Sequence, residues 1–280
     1  MRADLHLHTT ASDGRLTPQE LVRKAVELKL DVIAITDHDS VEGVLPALEA
    51  ARSSTQLMVI PGVEINTDVP KGEVHILGYF IDYRDPGLNR TLEELRNSRY
   101  ERGKNMVAKL AEMGINVDWG RVQEFAGGGS IGRPHLAQAM LEQGYVSSLR
   151  EAFTKYIGRN GPAYVERKKL TPIEAVKVVL DAGGLPVLAH PADIEPLEPF
   201  LLQLKKAGIV GIEIYYNGYN SKTIAQLKRF AKKLDLIACG GSDYHGLDEY
   251  IGADIGSIDL PRESVEQLIS LSKQKRMVMP

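Results

Sequence analysis

The run Asp31-Val32-Ile33-Ala34-Ile35-Thr36-Asp37-His38-Asp39 passes without interruption from aliphatic to ionisable side chains. Its four consecutive aliphatic residues leave no polar face, the pattern of a strand covered on both sides, as parallel strands are. The polar cluster at its carboxyl end falls where parallel α/β folds build their sites. Working outward, residues 5–8 read as a short strand. Thr17-Pro18-Gln19-Glu20 opens a helix, with Thr17 as N-cap, Pro18 in the first turn and Glu20 three residues after the cap. A helix over 41–52 follows, then strands over 57–60, 75–81, 185–189, 211–216 and 236–239. The helix over 171–182 repeats the cap with Thr171, Pro172 and Glu174. This alternation predicts a mostly parallel α/β sheet, open or closed.

Residues 85–161 break the alternation. No strand is legible there; 91–113 reads as one long helix, Gly127-Gly128-Gly129 interrupts the chain, and 134–142 reads as another helix after Gly132. The expected organisation is a helical insertion, 85–161, mounted on a main fold of 1–84 and 162–280.

Composition narrows the class. The chain has 280 residues, a net charge of -3, 43% hydrophobic and 25% charged residues, which suits one large domain with an insertion and excludes global disorder. No apolar run is long enough to span a membrane, and MRADLHLHTT lacks the apolar core of a secretory leader, so the expected compartment is the cytoplasm. The single cysteine, Cys239, excludes an internal disulfide and a Cys-rich zinc motif, and reads as a small buried residue. A slightly acidic chain is not expected to form a stable complex with long nucleic acid.

Of seven histidines, His6, His8, His38, His75, His190 and His245 lie within or just beyond the expected strand ends, and only His135 lies in the insertion. His6 and His8 are two apart on a strand and share a face. Asp13 follows in a Ser-Asp-Gly turn, Glu64 follows Pro61-Gly62-Val63, His190 precedes a proline, and Asp243 and His245 again share a face. Each has an ordinary explanation: Asp37 and Asp39 as helix caps, Asp13 as a turn residue, His75 as a satisfied core histidine. Together the ordinary explanations require many independent coincidences at strand ends, and a metal site requires one. The set His6, His8, Asp13, His38, Glu64, His75, His190, Asp243 and His245 exceeds the roughly four ligands of one ion and suits two or three ions sharing carboxylates. Imidazole and carboxylate without thiolate suit Mn, Fe or Zn, with Mn preferred. Adjacent ions of this kind hold a hydroxide and stabilise the attacking and leaving oxygens of a phosphoryl displacement.

His6-x-His8, Thr36-Asp37-His38, Pro61-Gly62-x-Glu64, Ala189-His190-Pro191 and Ser242-Asp243-x-His245 resemble the PHP family, named for polymerase and histidinol phosphatase. The resemblance covers roughly 1–84 and 162–280. It implies a distorted seven-stranded (β/α) barrel with a two- or three-metal phosphoesterase site. It also implies His6, His8, Glu64 and Asp243 around one metal, Glu64, His75 and His190 around a second with Glu64 bridging, and Asp13, His38 and His245 around a third. Asp13 stands where some members have histidine.

Gly132-Arg133-Pro134-His135-Leu136-Ala137 and the Arg99-x-x-Arg102 helix resemble the small branch of that family active on nucleotides. That branch acts on 5′-mononucleotides, on nucleoside 3′,5′-bisphosphates, or on short RNA from the 5′ end. Arginine offers phosphate a planar fork, so Arg99, Arg102, Arg133 and His135 are the expected substrate-binding residues. Arg99 and Arg102 share one helix face, which could equally be solvated. Gly132 would permit close backbone approach to a ligand. Tyr215-Tyr216-Asn217 either lines the pocket or packs in the core, and Arg167-Lys168-Lys169 reads as a solvated turn. The expected activity is hydrolysis of phosphate esters of small nucleotides or short oligonucleotides, with Asp243, His190 and His245 in the catalytic machinery. His190, His245 and a metal-bound water are the candidate donors to the leaving oxygen. The competing readings are a histidinol-phosphate phosphatase and a non-catalytic interaction module.

Overall fold

The computed structural model describes residues 1–54, 56–69, 73–246 and 253–278. Seven strands, β1 (Ala3–Leu7), β2 (Val32–Ile35), β3 (Met58–Asp68), β4 (Glu73–Tyr79), β5 (Leu185–Leu188), β6 (Gly211–Tyr216) and β7 (Ile237–Gly241), pair in chain order into a nearly closed barrel. Helices α1 (Pro18–Glu27), α2 (Val44–Ala51), α7 (Pro172–Asp181), α8 (Leu197–Ala207), α9 (Ser221–Leu234) and α10 (Arg262–Val278) accompany the strands. Both expected caps form: Thr17 with Glu20, and Thr171 with Glu174, exchange side chain and backbone bonds as capping boxes. β2 is buried at every position, which its aliphatic run requires.

Strand β4 runs antiparallel to both neighbours; every other pairing is parallel. Only four residues separate β3 from β4, and a parallel crossover needs a dozen or more. The reversal brings the amino-terminal end of β4, with His75, to the barrel end reached by the carboxyl ends of the other strands.

The seam between β1 and β7 is clasped by a side chain. Asp4 is fully buried; its Oδ1 accepts from the backbone N–H of Ser242 at 2.9 Å and its Oδ2 from that of Gly256 at 2.8 Å. One backbone bond, His8 N–H to the Tyr244 carbonyl at 3.0 Å, completes the contact. Gly241 is obligatory there, because a Cβ would stand 2.5 Å from His6.

Residues 86–157 contribute no strand: α3 (Pro86–Glu112), α4 (Trp119–Ala126), α5 (Arg133–Glu142) and α6 (Leu149–Ala152) lead into a π-helical turn, Phe153–Ile157. They enclose an apolar cluster of their own, with Met106, Leu110, Val122, Leu136 and Met140. The first turns of α3 belong elsewhere, since Leu88, Leu92 and Leu95 pack into the barrel's outer core. No helix among the described residues is long and apolar enough to cross a membrane.

Candidate metal centre

Leu5 and Leu7 enter different apolar clusters, with a register irregularity in β1 between Asp4 and Leu7, and His6, with His8 just beyond the strand, reaches the barrel end. β3 delivers Glu64 between them. Its Oε2 lies 3.2 Å from His6 Nε2, 3.2 Å from His8 Nε2 and 2.9 Å from His38 Nδ1. Its Oε1 lies 2.8 Å from His75 Nδ1 and 3.2 Å from His190 Nε2. Asp243 Oδ1 approaches His8 Nε2 at 3.0 Å and His6 Nε2 at 3.2 Å. On the far side of His8, Asp13 faces His245 Nε2 at 3.4 Å and His38 Nε2 at 3.9 Å.

These atoms fall into three overlapping groups, each with its donors within 4.8 Å of one another: His6, His8, Glu64 and Asp243; His38, Glu64 and His75; His8, Asp13, His38 and His245. His190 joins through Glu64. The donor set fits ions. His6 Nε2, both ring nitrogens of His8, Asp13 Oδ1, His38 Nδ1, Glu64 Oε2 and Asp243 Oδ1 are buried without a hydrogen bond. Buried polar atoms are nearly always bonded, so lone pairs converging unbonded on common points are the geometry of a multinuclear metal site.

Charge tells the same story. Burial opposes ionisation of every carboxylate here, yet His38, His6 and His75 outweigh it at Glu64, His38 and His245 at Asp13, and His6 and His245 at Asp243; all three stay well below the usual carboxylate range. Burial works against the His8 cation too, but Asp243 and Glu64 carry it up to about 10. At His38 burial wins and the ring falls to about 4.

The donors are held from behind. Glu213, fully buried on β6, accepts from His6 Nδ1 at 3.0 Å and from the His190 backbone N–H at 2.8 Å, aiming His6 Nε2 at the centre. Tyr216 donates to Asp243 Oδ2 at 2.8 Å, which leaves Oδ1 for the cluster. Asp37 accepts from the Thr9 N–H, the Thr9 hydroxyl and the Ser12 hydroxyl, fixing the loop that carries Asp13; it is no helix cap. Asp39, His190 and Asp243 all adopt positive φ (49°, 25° and 54°), strain of about 1–3 kcal/mol each that persists where surroundings over-determine the backbone.

Beside the cluster opens a cleft of about 150 Å³, floored by Asp13, His38, His75 and His245 and walled by Arg99, Arg102 and Arg133. Arg99 and Arg102 are buried, so the solvated reading of that helix face fails. Arg99 binds Asp39 at 2.7 Å and also Asn66. Arg102 makes no hydrogen bond among the described residues; burial, with Arg99, Arg167 and Arg133 nearby, draws its pKa down to about 9. Arg133 binds Glu73 at 2.8 Å, with the Phe153 and Tyr164 rings each 5.7 Å from its guanidinium. His135 is buried and accepts from the Gly132 N–H at Nδ1. Gly132 itself abuts protein: an added Cβ would meet Pro134 and the Asp13 carboxylate.

A further sequence expectation needs correction. Arg167-Lys168-Lys169 is not a solvated turn: the Arg167 and Lys169 side chains are each 1% exposed, Arg167 on Asp39 and Lys169 on Glu73. Only Lys168 is exposed, because it alone of the three points away from the buried acids. Glu213, Glu73 and the pairing role of Asp39 were missed. An acid inside the otherwise apolar GIEIYY strand was the available signal for Glu213.

Residues 4–166 match the PHP domain. The chain is 35% identical over 249 residues to the 5′-3′ exoribonuclease Rnm of Salmonella typhimurium, covering 86% of this chain and 84% of that one. It is 32% identical over 264 residues to the 3′,5′-nucleoside bisphosphate phosphatase of Chromobacterium violaceum, covering 92% of each. A crystal structure from Bifidobacterium adolescentis, described as a candidate metal-dependent phosphoesterase, superposes with a TM-score of 0.88 at 28% identity over 96% of this chain and 95% of that one. Relatives that hydrolyse phosphate esters of nucleotides, a nearly closed seven-stranded barrel and a convergent His/Asp/Glu cluster at one end of it agree: the chain belongs to the PHP domain family of phosphoric ester hydrolases.

Proposed function

We propose that this protein is a metal-dependent phosphoesterase acting on small nucleotides: nucleoside 3′,5′-bisphosphates, 5′-mononucleotides, or the 5′-phosphorylated end of short RNA. One observation carries the reading. The unbonded donor cluster opens directly into a cleft walled by buried arginines, so a phosphate on the cluster has room beside it for a second anionic group.

His6, His8, Glu64 and Asp243 would hold one ion, Glu64, His75 and His190 a second, and Asp13, His38 and His245 a third. Nitrogen and oxygen donors without thiolate favour Mn, with Fe or Zn as alternatives. When bound, the ions supply an activated water nucleophile and offset the charge developing on phosphorus. The chain's own residues do the rest. Arg102 and Arg133 bind the second phosphate. Gly132 occupies His135 Nδ1, so His135 carries its proton on Nε2 and serves as a neutral donor. Arg99, committed to Asp39 and Asn66, fixes the wall rather than moving to the substrate. His190 and His245, as ligands through their cluster-facing nitrogens, would have no proton there for the leaving oxygen while an ion is held, and His245 Nδ1 already donates to the Asp243 carbonyl at 2.9 Å. Residues 85–161 act as the cap that supplies this wall to the barrel of 1–84 and 162–280.

The test is phosphate release by metal-stripped protein reloaded with Mn, across AMP, adenosine 3′,5′-bisphosphate, histidinol phosphate and a short 5′-phosphorylated RNA. Preference for the bisphosphate or the RNA supports the proposal. Cleavage of histidinol phosphate alone replaces it with the histidinol-phosphate reading, and no cleavage at all with the interaction-module reading.

A further inference from the structure

The cationic wall contains two carboxylates of different standing. Asp39 is fully buried and locked between Arg99 at 2.7 Å and Arg167 at 3.1 Å. Glu73 is one-fifth exposed and borders the cleft itself. Its Oε2 accepts from Arg133 Nη2 and its Oε1 from Lys169 Nζ, each at 2.8 Å. The Arg133 contact is single: one nitrogen of the guanidinium meets one oxygen. Phe153 and Tyr164 flank that guanidinium and hold its position, so its partner can change while the arginine stays. Lys169 gives Glu73 a second anchor, so leaving Arg133 does not strand the carboxylate. Arg102, beside it, makes no ion pair among the described residues, though Glu73 lies near enough to favour its charge.

We propose that Glu73 is a specificity-determining residue: an internal counter-anion that rests on Arg133 in the place of the substrate's second phosphate and yields to it. This rests on the nucleotide reading above. A phosphate monoester dianion offers Arg133 two oxygens and a second charge, and spans to Arg102; a single carboxylate oxygen gives less. A hydroxyl or a singly charged diester at the same point does not repay the loss of the Glu73 contact. The competitor already in place suppresses weak anions at the wall and moderates the gain from a second phosphate, which the attraction supplies. Glu73 therefore sets a threshold that a terminal second phosphate clears at some cost in affinity, and keeps the wall from gripping any passing anion.

The experiment uses the full chain loaded with Mn and compares wild type, Glu73→Gln and Glu73→Asp. Binding of adenosine 3′,5′-bisphosphate and of AMP is measured by calorimetry, and kcat/KM is measured on both. Removing the competitor, or withdrawing it by one methylene, should raise the bisphosphate-over-AMP ratio about fivefold, the scale of a partly exposed ion pair. A ratio that falls shows that Glu73 orients Arg133 instead, and an unchanged ratio shows that the contact is incidental; either overturns the proposal. So does a wild-type protein with no preference for the bisphosphate. If neither nucleotide is hydrolysed, the proposed function fails, while the calorimetric ratio still decides the role of Glu73. Glu73→Asp keeps the Lys169 counter-charge and decides the matter should Glu73→Gln fold poorly.

Discussion

Asp39 and Arg99 form a closed ion pair between barrel and insertion: Oδ2 meets Nε at 2.7 Å, with Asp39 fully buried and Arg99 4% exposed. Asp39 follows His38 directly, so helix α3 is tied to the backbone of a cluster residue. Burial pushes the Asp39 carboxyl up, but Arg99 and Arg167 outweigh it and hold it below its ordinary value.

Breaking that pair leaves a buried charge short of a partner. Arg99→Met is expected to cost about 3 kcal/mol in chemical denaturation, the low end for such losses because Arg167 remains on Asp39. A cost under about 1 kcal/mol, the value of an exposed pair, would show that the contact adds little.

Asp243→Asn is the cleanest test of the cluster. Asparagine tolerates the positive φ of 54° that alanine would resist, so the backbone is kept while a donor changes. Turnover is expected to fall by about two orders of magnitude or more, with metal per chain reduced and the circular dichroism of wild type retained. His8→Ala should behave alike. Wild-type metal content and activity in both would remove these residues from the site.

Glu213 is fully buried and does not line the cleft beside the cluster, yet it holds His6 and the backbone of His190 at once. Glu213→Gln is expected to weaken metal binding about 10- to 100-fold, read by competition with a chromophoric chelator. Unaltered affinity would reduce Glu213 to a packing role.

His135 supplies part of the pH dependence, alongside His38, which titrates in the same window. Burial, helped by Arg99 and His245, lowers His135 from 6.5 to about 4, so it folds as the neutral ring. The unfolded chain takes up the proton first. Stability is therefore complete above pH 6.5 and declines as pH falls toward 4, by about 3 kcal/mol from His135. His135→Asn keeps an acceptor for the Gly132 N–H and removes the titration. Its stability curve should be flatter across that window; curves of equal slope would assign the acid sensitivity elsewhere.

Most of the cluster histidines were legible because they lie at or just beyond the carboxyl end of a parallel strand, which has one destination; His75, near the start of antiparallel β4, reaches the same end through the reversal. Arg167 and Lys169 were not legible. Their acids lie 128 and 96 residues away, and a charged triplet looks the same whether it meets water or a buried carboxylate. The direction of β4 was not: strands read over 57–60 and 75–81 leave room for a crossover, and only the extension of β3 to Asp68 shortens the connection to a hairpin. The barrel's closure came with the family resemblance and not from the alternation, which an open and a closed sheet share. The aspartates of 37–39 were visible as polar residues, but nothing local told which held a loop and which an arginine.

The Asp4 clasp has a consequence for the order of folding. It joins the first strand to the last, so His6 and His8 reach Asp243 only when β7 has docked against β1. Contacts of such long sequence separation form late and at high entropic cost. A nascent chain therefore cannot assemble the complete His6-His8-Glu64-Asp243 nest until nearly all of it has been made. Occupation of that nest becomes a report that the seam has shut, and ions arriving earlier find at most the group of His38, Glu64 and His75 from β2–β4.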